Sequence, residues 1–242
     1  MEDILKVDNL NKSFGNLVAV HDLSFEVKTG EILGVMGPNG AGKTTVFNLL
    51  TGMLKPDEGT ITFEGKDITN ESPSKKCRRG MGRTYQIPRP FDKMTVYENL
   101  LVAAVHGGGI SEKRASENIR EILEIIALLP LKNHLAGGLP LLDRKRLELG
   151  RAMATQPSLI LLDEVAGGLT EGEVGEVLQI VKKMQARGIT IVWIEHILMM
   201  MSEGVDRLLV LSEGHRLNCG DPGEVMCSDE VLECYLGVED DE

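Results

Sequence analysis

The spacing of apolar positions changes character twice along the chain. Over the first 35 residues, short apolar segments (LKVDNL, LVAVHDLSFEV, EILGVMG) alternate with the turn signals NKSFGN and KTG, which predicts β-structure. GTITFEGKDIT (59–69) continues that pattern, with a hairpin turn predicted at Glu64-Gly65-Lys66. Between these segments TTVFNLLTGML predicts a helix. Thr95 and Glu98 form a capping box, a pair that satisfies free backbone donors at a helix start. HGGG (106–109) then breaks the chain. From Ser111 to Leu129, Ile119, Ile122, Leu123 and Ile126 recur at i, i+3, i+4 and i+7, which predicts one buried helix face, ended by Pro130. Residues from about 91 to 150 are therefore predicted to be mostly helical.

Beyond that block the strand signal returns. SLILLDE (158–164), TIVWIEH (190–196) and DRLLVLSEG (206–214) read as strands. A second capping box, Thr170 with Glu173, starts a helix whose apolar face is Val174, Val177, Leu178 and Val181. Strand, helix and strand in this rhythm predict a parallel sheet with crossover helices. There is no internal repeat or low-complexity linker, and the terminal VEDDE is expected to fray.

Composition narrows the class. The 242 residues are 42% hydrophobic and 26% charged, as in ordinary globular proteins that bury a sizeable core. The net charge of −11 argues against broad contact with nucleic acid or an anionic lipid surface, both of which need a positive footprint. KKCRRG (75–80) is a local basic spot, read as a solvated loop. No apolar run reaches the ~18 residues needed to span a bilayer. MEDILKVDNL lacks a secretion-signal pattern, so a cytosolic chain is expected. Cys77, Cys219, Cys227 and Cys234 contain no CxxC pair and read as reduced thiols. A metal site of the last three with His215 is the alternative.

The sharpest chemistry lies in GPNGAGKTT, residues 37–45. Gly37-x-x-x-x-Gly42-Lys43-Thr44 matches the P-loop pattern, preceded by a predicted strand and followed by a predicted helix, as that pattern requires. Its candidate nucleotide-binding residues are Gly37, Pro38, Asn39, Gly40, Ala41, Gly42, Lys43, Thr44 and Thr45. The glycines allow backbone N–H groups to turn onto phosphates, and the helix adds its positive end. Lys43 would reach the β- and γ-phosphates, and the Thr44 hydroxyl would bind Mg²⁺. At the end of the predicted strand 159–163, Asp163 is placed to hold that metal through water. Glu164 is placed as general base for the attacking water. These residues together predict hydrolysis of a nucleoside triphosphate.

In order, GPNGAGKTT, Gln86 in GRTYQ, LPLLDRKRLELGRAMA, LILLDE and His196 in WIEH resemble the ATP-binding subunits of ABC transporters over essentially the whole chain. GRTYQIPRPFDKMTVYENLLVAA and ECYLG look more narrowly like the ATPases of branched-chain amino-acid importers. The resemblance implies an α/β fold: a RecA-like P-loop NTPase core with an N-terminal antiparallel β-subdomain and an inserted α-helical subdomain. It implies one nucleotide-binding domain over 1–242, with 1–90 and 151–242 as ATP-binding core and 91–150 as helical subdomain. It also implies ATP and Mg²⁺ as cofactors, integral-membrane permease subunits as partners, and a peripheral place on the cytoplasmic face of the membrane.

The resemblance assigns further roles. Phe14 would stack on adenine, with a plain hydrophobic turn residue as the alternative. Gln86 would bind Mg²⁺ or the attacking water and report the nucleotide state to the membrane subunits. His196 would contact the γ-phosphate, although a lone histidine at a strand end is otherwise more often structural. Ile87, Phe91 and Met94 are candidates for a groove that meets the membrane subunits, with core packing as the alternative.

One motif departs from the family pattern. Leu139-Pro140-Leu141-Leu142-Asp143 stands where the family carries a Leu-Ser-Gly-Gly-Gln-like signature that binds the γ-phosphate of a second subunit. Pro140 offers no hydroxyl or N–H, Leu141 and Leu142 add bulk, and Asp143 adds negative charge. Val165 replaces a usual proline, and Ala166-Gly167-Gly168-Leu169 is an altered form of the loop facing the other subunit. Liv-type importers pair two different ATPase subunits, so the resemblance implies such a heterodimer, with a homodimer as the alternative, and the departures predict poor ATPase activity for a homodimer. Another cargo (urea, amides, an exported lipid) and a weakly hydrolysing regulatory module are the competing functions.

Overall fold

The structure, a computed structural model, describes residues 2–236, so the predicted fraying of VEDDE lies outside the described residues. The described residues form two compact units, 2–73 with 190–236, and 74–189.

The first unit opens with β1 (Asp3–Phe14) and β2 (Leu17–Lys28), paired antiparallel. β3 (Ile32–Met36) is buried along its whole length and leads through the glycine loop into α1 (Lys43–Leu50). β4 (Glu58–Phe63) pairs antiparallel with β1, and the short β5 (Lys66–Asp67) with β4, giving a sheet of order β2-β1-β4-β5. Glu64 and Gly65 have φ of 48° and 71°, the left-handed pair that a two-residue hairpin turn requires, at the predicted position. Leu5, Val7, Leu23, Phe25, Val27, Ile61 and Phe63 are buried, as period-two alternation demands.

The second unit begins as α2 (Pro73–Arg78) leads into β6 (Met81–Arg83). This corrects the reading of KKCRRG as a solvated loop: residues 75–78 are helical and Lys76 is only 1% exposed. α3 (Val96–Val102) starts at the predicted capping box, with Glu98 N–H donating to Thr95 Oγ1 at 3.1 Å and Thr95 N–H to Glu98 Oε2 at 2.7 Å. A π-helical turn, Ala103–Gly107, runs into the glycines that break it. α4 (Glu112–Ile125) buries Ile119, Ile122 and Leu123 as predicted. Its end differs from expectation: the chain leaves the helix at Ala127, left-handed at φ 57°, while Pro130 lies in a separate 3₁₀ turn, Leu129–Leu131. The Leu128 N–H bonds Leu123 O at 2.9 Å, so the last turn closes before proline is reached.

α5 (Leu141–Ala154) is followed by β7 (Leu159–Asp163), fully buried and parallel to β6. α6 (Glu171–Ala186) starts at the second capping box and buries Val174, Val177, Leu178 and Val181.

The chain then returns to the first unit. β8 (Thr190–Ile194), α7 (Leu198–Glu203), β9 (Arg207–Ser212), β10 (His215–Gly220), α8 (Pro222–Met226) and α9 (Asp229–Leu236) complete the described residues. β3 lies parallel to β8 on one side and β9 on the other, and β10 pairs antiparallel with β9. β10 is not among the predicted strands, because HRLNCG has no apolar alternation and all six residues are half-buried or exposed. Glu213 and Gly214, with φ of 48° and 80°, make the turn that folds it back. The fold is α/β: parallel strands with a P-loop, an N-terminal antiparallel sheet and a helical block, as expected.

Candidate nucleotide-binding and hydrolysis residues

In the first unit the P-loop is shaped by positions that exclude a side chain. Gly37 has φ 152°, and a Cβ there would sit 2.2 Å from Leu211 O. Gly42, at φ 94°, caps α1 in the left-handed conformation, and its Cβ would meet Ala19 O at 2.4 Å. Strands thus press on the outside of the loop. A backbone turn with close approach on both sides is the demand that glycine alone meets. Gly214 N–H donates to Ala41 O at 3.2 Å, and His21 N–H to Gly214 O at 2.9 Å, which ties the loop to the β9–β10 turn and to β2.

Lys43, the first residue of α1, folds its ammonium onto the loop, donating to Gly37 O at 2.6 Å and Pro38 O at 2.9 Å. Thr44 is exposed in the first helical turn, while Asn39 and Gly40 form the exposed tip. Ala41 is buried and Thr45 half-buried. This arrangement places backbone N–H groups, one cation and one hydroxyl at a helix start, which is a donor set for phosphate.

Phe14 ends β1, is 46% exposed, and has the Lys12 ammonium 5.6 Å from its ring centroid. It is therefore not a buried packing residue. His196 follows β8 with its side chain 65% exposed; its backbone N–H donates to the buried Glu195 carboxylate at 3.3 Å. Tyr235 on α9 takes a backbone hydrogen bond from Gly37. Burial raises its phenol above the ordinary tyrosine range against that bond. Nothing in the apolar pattern signals this contact, which comes from the ECYLG segment, distinctive in sequence only for its family likeness.

In the second unit, Asp163 lies at the end of β7 and is 6% exposed. Its Oδ2 takes a bond from Arg83 NH2 at 2.9 Å, and its backbone N–H donates to Thr84 Oγ1 at 3.1 Å. Glu164 follows with a left-handed φ of 45°, a strained conformation for a residue with a Cβ, of the kind that clusters at functional sites. Gln86 Nε2 donates to Glu164 Oε2 at 2.5 Å. The structure therefore brings the predicted Gln86 and Glu164 together, and beside them Asp163 with an arginine that no motif singles out. Lys145, 4% exposed on α5, donates to the backbone carbonyls of Gln86 at 2.9 Å and Glu164 at 3.3 Å. Lys145 also escapes the sequence patterns, because a lysine in a polar-rich helix reads as surface.

The Leu139–Asp143 segment leads into α5 with Pro140 at the N-cap, which makes no side-chain capping bond. Leu141 is 44% exposed and Leu142 half-buried. Leu139 O and Gly137 O, just ahead of the helix, accept from Arg144 at 2.9 and 2.7 Å. Asp143 pairs with Arg146 at 3.0 Å, and Arg146 also reaches Glu176. The charge added by Asp143 is thus partly neutralised within its own helix.

Ile87, Phe91 and Met94 are 67%, 47% and 37% exposed, so core packing does not account for them. Arg151 covers the Phe91 ring, 5.4 Å from its centroid. No three His, Cys, Asp or Glu side chains among the described residues converge on one point. All four cysteines are free thiols.

A P-loop at a strand-to-helix turn, together with an Asp-Glu pair at the end of a parallel strand, defines a P-loop nucleoside triphosphatase. Residues 20–167 match the ABC transporter family, and the chain belongs to that family of ATP-hydrolysing cassettes. It is 36% identical to a probable branched-chain amino acid transport ATP-binding protein of Methanocaldococcus jannaschii, over 97% of this chain and 98% of that one. It is 34% identical to a lipopolysaccharide export system ATP-binding protein of Acidithiobacillus ferridurans, over 98% of both. A crystal structure of the ADP conformation of an ABC transporter cassette superposes with a TM-score of 0.91 at 35% identity, covering 98% of this chain and 100% of that one.

Proposed function

We propose that the chain is the ATP-driven motor subunit of an importer for branched-chain amino acids, coupling closure of an ATPase dimer to solute movement through permease subunits. The observation that carries the reading is the Gly37–Thr45 cradle, which only glycine backbone can form and whose donors suit a phosphate chain. The likeness to branched-chain amino-acid transport ATPases supports the cargo.

In this reading Gly37–Thr45 bind the phosphates, Lys43 moves from its own loop carbonyls to the phosphate oxygens, and Phe14 stacks on adenine. Thr44 and Gln86 would hold Mg²⁺ directly and Asp163 through water, where the ion would supply positive charge against that developing on the phosphates. Glu164 takes the proton of the attacking water once Gln86 releases its carboxylate, and His196 orients the γ-phosphate. Ile87, Phe91 and Met94 face the permease, which places the chain peripherally on the cytoplasmic side of the membrane. The partner ATPase is a different subunit whose intact signature completes this chain's site, while Leu139–Asp143 serves the weaker one.

A second reading has its own support. Likeness to the lipopolysaccharide export ATPase is nearly as strong, which favours the same motor acting on another cargo, with transport direction set by its permease. The test is the oligomeric state of Glu164→Gln with and without MgATP, by size-exclusion chromatography with light scattering. A monomer that binds ATP is expected, and a different ATPase subunit is then the obligatory partner. A stable ATP-dependent dimer would overturn the heterodimer and make the chain a homodimeric motor.

A further inference from the structure

The Gln86–Glu164 contact is held from behind by one helix. Along α5, Lys145, Glu148 and Arg151 recur at every third residue, and each engages the backbone of the segment that carries Gln86. Lys145 Nζ donates to Gln86 O at 2.9 Å, Glu148 takes a hydrogen bond from the Tyr85 backbone, and Arg151 NH1 donates to Arg89 O at 2.9 Å. Glu148 and Arg151 are joined at 2.8 Å. Lys145 differs from the other two, because its ammonium also donates to Glu164 O at 3.3 Å.

One buried cation thus ties the main chain of both residues whose side chains meet at 2.5 Å. Glu164 needs such a tie, since its left-handed backbone is a conformation that the surroundings must enforce. An ammonium can donate three bonds in tetrahedral directions, so a single lysine can hold two carbonyls of different segments at once.

We propose that Lys145 is the positioning residue for hydrolysis: it fixes the main chain of Gln86 and Glu164 so that the glutamine and the general base keep their mutual geometry. The inference rests on the roles assigned above to Glu164 and Gln86. Lys145 acts on the main chain of the two residues, through Gln86 O and Glu164 O. Its helix begins at Leu141, capped by Pro140 within the altered signature, so α5 connects that segment to the pair on which turnover depends.

The test uses the full chain, with Lys145→Met and Lys145→Arg each compared with wild type by hydrogen–deuterium exchange and by the low basal ATP turnover of the chain. In Lys145→Met, exchange in peptides covering 84–90 and 164–169 is expected to rise about tenfold, the effect of losing a charge-assisted hydrogen bond, while peptides over 37–45 stay unchanged. Turnover is expected to fall about tenfold with KM for MgATP within about twofold, the pattern of lost positioning rather than lost binding. Lys145→Arg, which keeps the charge and donors, should recover part of both.

Unchanged exchange in the two segments, or a raised KM with kcat intact, overturns the proposal. If Lys145→Met does not fold, Lys145→Gln, which keeps one donor group, is read by the same criteria. Glu164→Gln separates the two layers of argument. Turnover surviving in Glu164→Gln removes the general-base reading, whereas its loss there with normal turnover in Lys145→Met removes only the positioning role.

Discussion

Arg83 NH2 lies 2.9 Å from Asp163 Oδ2, and the two side chains are only 7% and 9% exposed. A carboxylate this deeply buried is stable as an anion only if it is paired. The metal-holding aspartate of the proposed mechanism is therefore built into the second unit as half of an ion pair. Arg83→Met leaves that charge uncompensated and is expected to destabilise the protein by about 3–5 kcal/mol in urea unfolding. Adding Asp163→Asn should recover part of the loss, because the second change removes the orphaned charge. Additive losses in the double variant would show that the pair is not the cause.

Glu148 gives a prediction with a sign. Burial raises its carboxyl above the ordinary 4.5, opposed chiefly by Arg151. The folded chain then holds this proton more tightly than the unfolded chain does. Stability from this group is present below about pH 4.5 and is lost as pH rises through the folded value. Glu148→Gln removes the titration while keeping an acceptor for Arg151. The stability of Glu148→Gln relative to wild type should grow by about 1.4 kcal/mol per pH unit across that window, then level off. Urea midpoints at a series of pH values measure it, and the opposite slope refutes it.

The P-loop glycines should not respond alike. Gly40 has φ 84°, and a Cβ added there would meet nothing within 4 Å, so Gly40→Ala faces only the left-handed backbone penalty, about 1–2 kcal/mol. Gly42 combines a positive φ with Ala19 O only 2.4 Å from where its Cβ would stand. Gly42→Ala must displace β2 or the loop, and is expected to cost more stability than Gly40→Ala and to abolish nucleotide binding. Thermal unfolding and titration with a fluorescent ATP analogue test both.

Pro140 caps α5 without a side-chain bond. Pro140→Ser restores both the hydroxyl and the N–H, and should stabilise the helix start by about 1 kcal/mol. In a Glu164→Gln background, Pro140→Ser with Leu141→Gly is expected to increase ATP-dependent dimerisation, read by light scattering. No increase would mean that the altered signature is not what limits self-pairing.

How much of this was legible in the chain differs by element. GPNGAGKTT marked the glycine loop between β3 and α1 outright, since the loop's shape lies in the backbone conformations that glycine permits, and these are local. The two capping boxes and the face formed by Ile119, Ile122 and Leu123 were equally readable, because helix starts and amphipathic faces are set by residues within a few positions of each other. β10 could not be read, since its pairing partner β9 supplies the order that its own composition does not.

The sequence by itself determined the alternation of β-rich and helical segments, the glycine loop, the acidic pair at the end of β7 and the family. Tertiary structure alone decided that Asp163 is paired with Arg83, that Lys145 rather than solvent satisfies the carbonyls of Gln86 and Glu164, and that Tyr235 reaches Gly37. The nearest of these partners, Lys145 and Glu164, are 19 positions apart in the chain, and Arg83 and Asp163 are 80 apart. A charged or phenolic side chain has no preferred partner in local sequence. Only burial, which makes an unpaired charge or polar group costly, selects one.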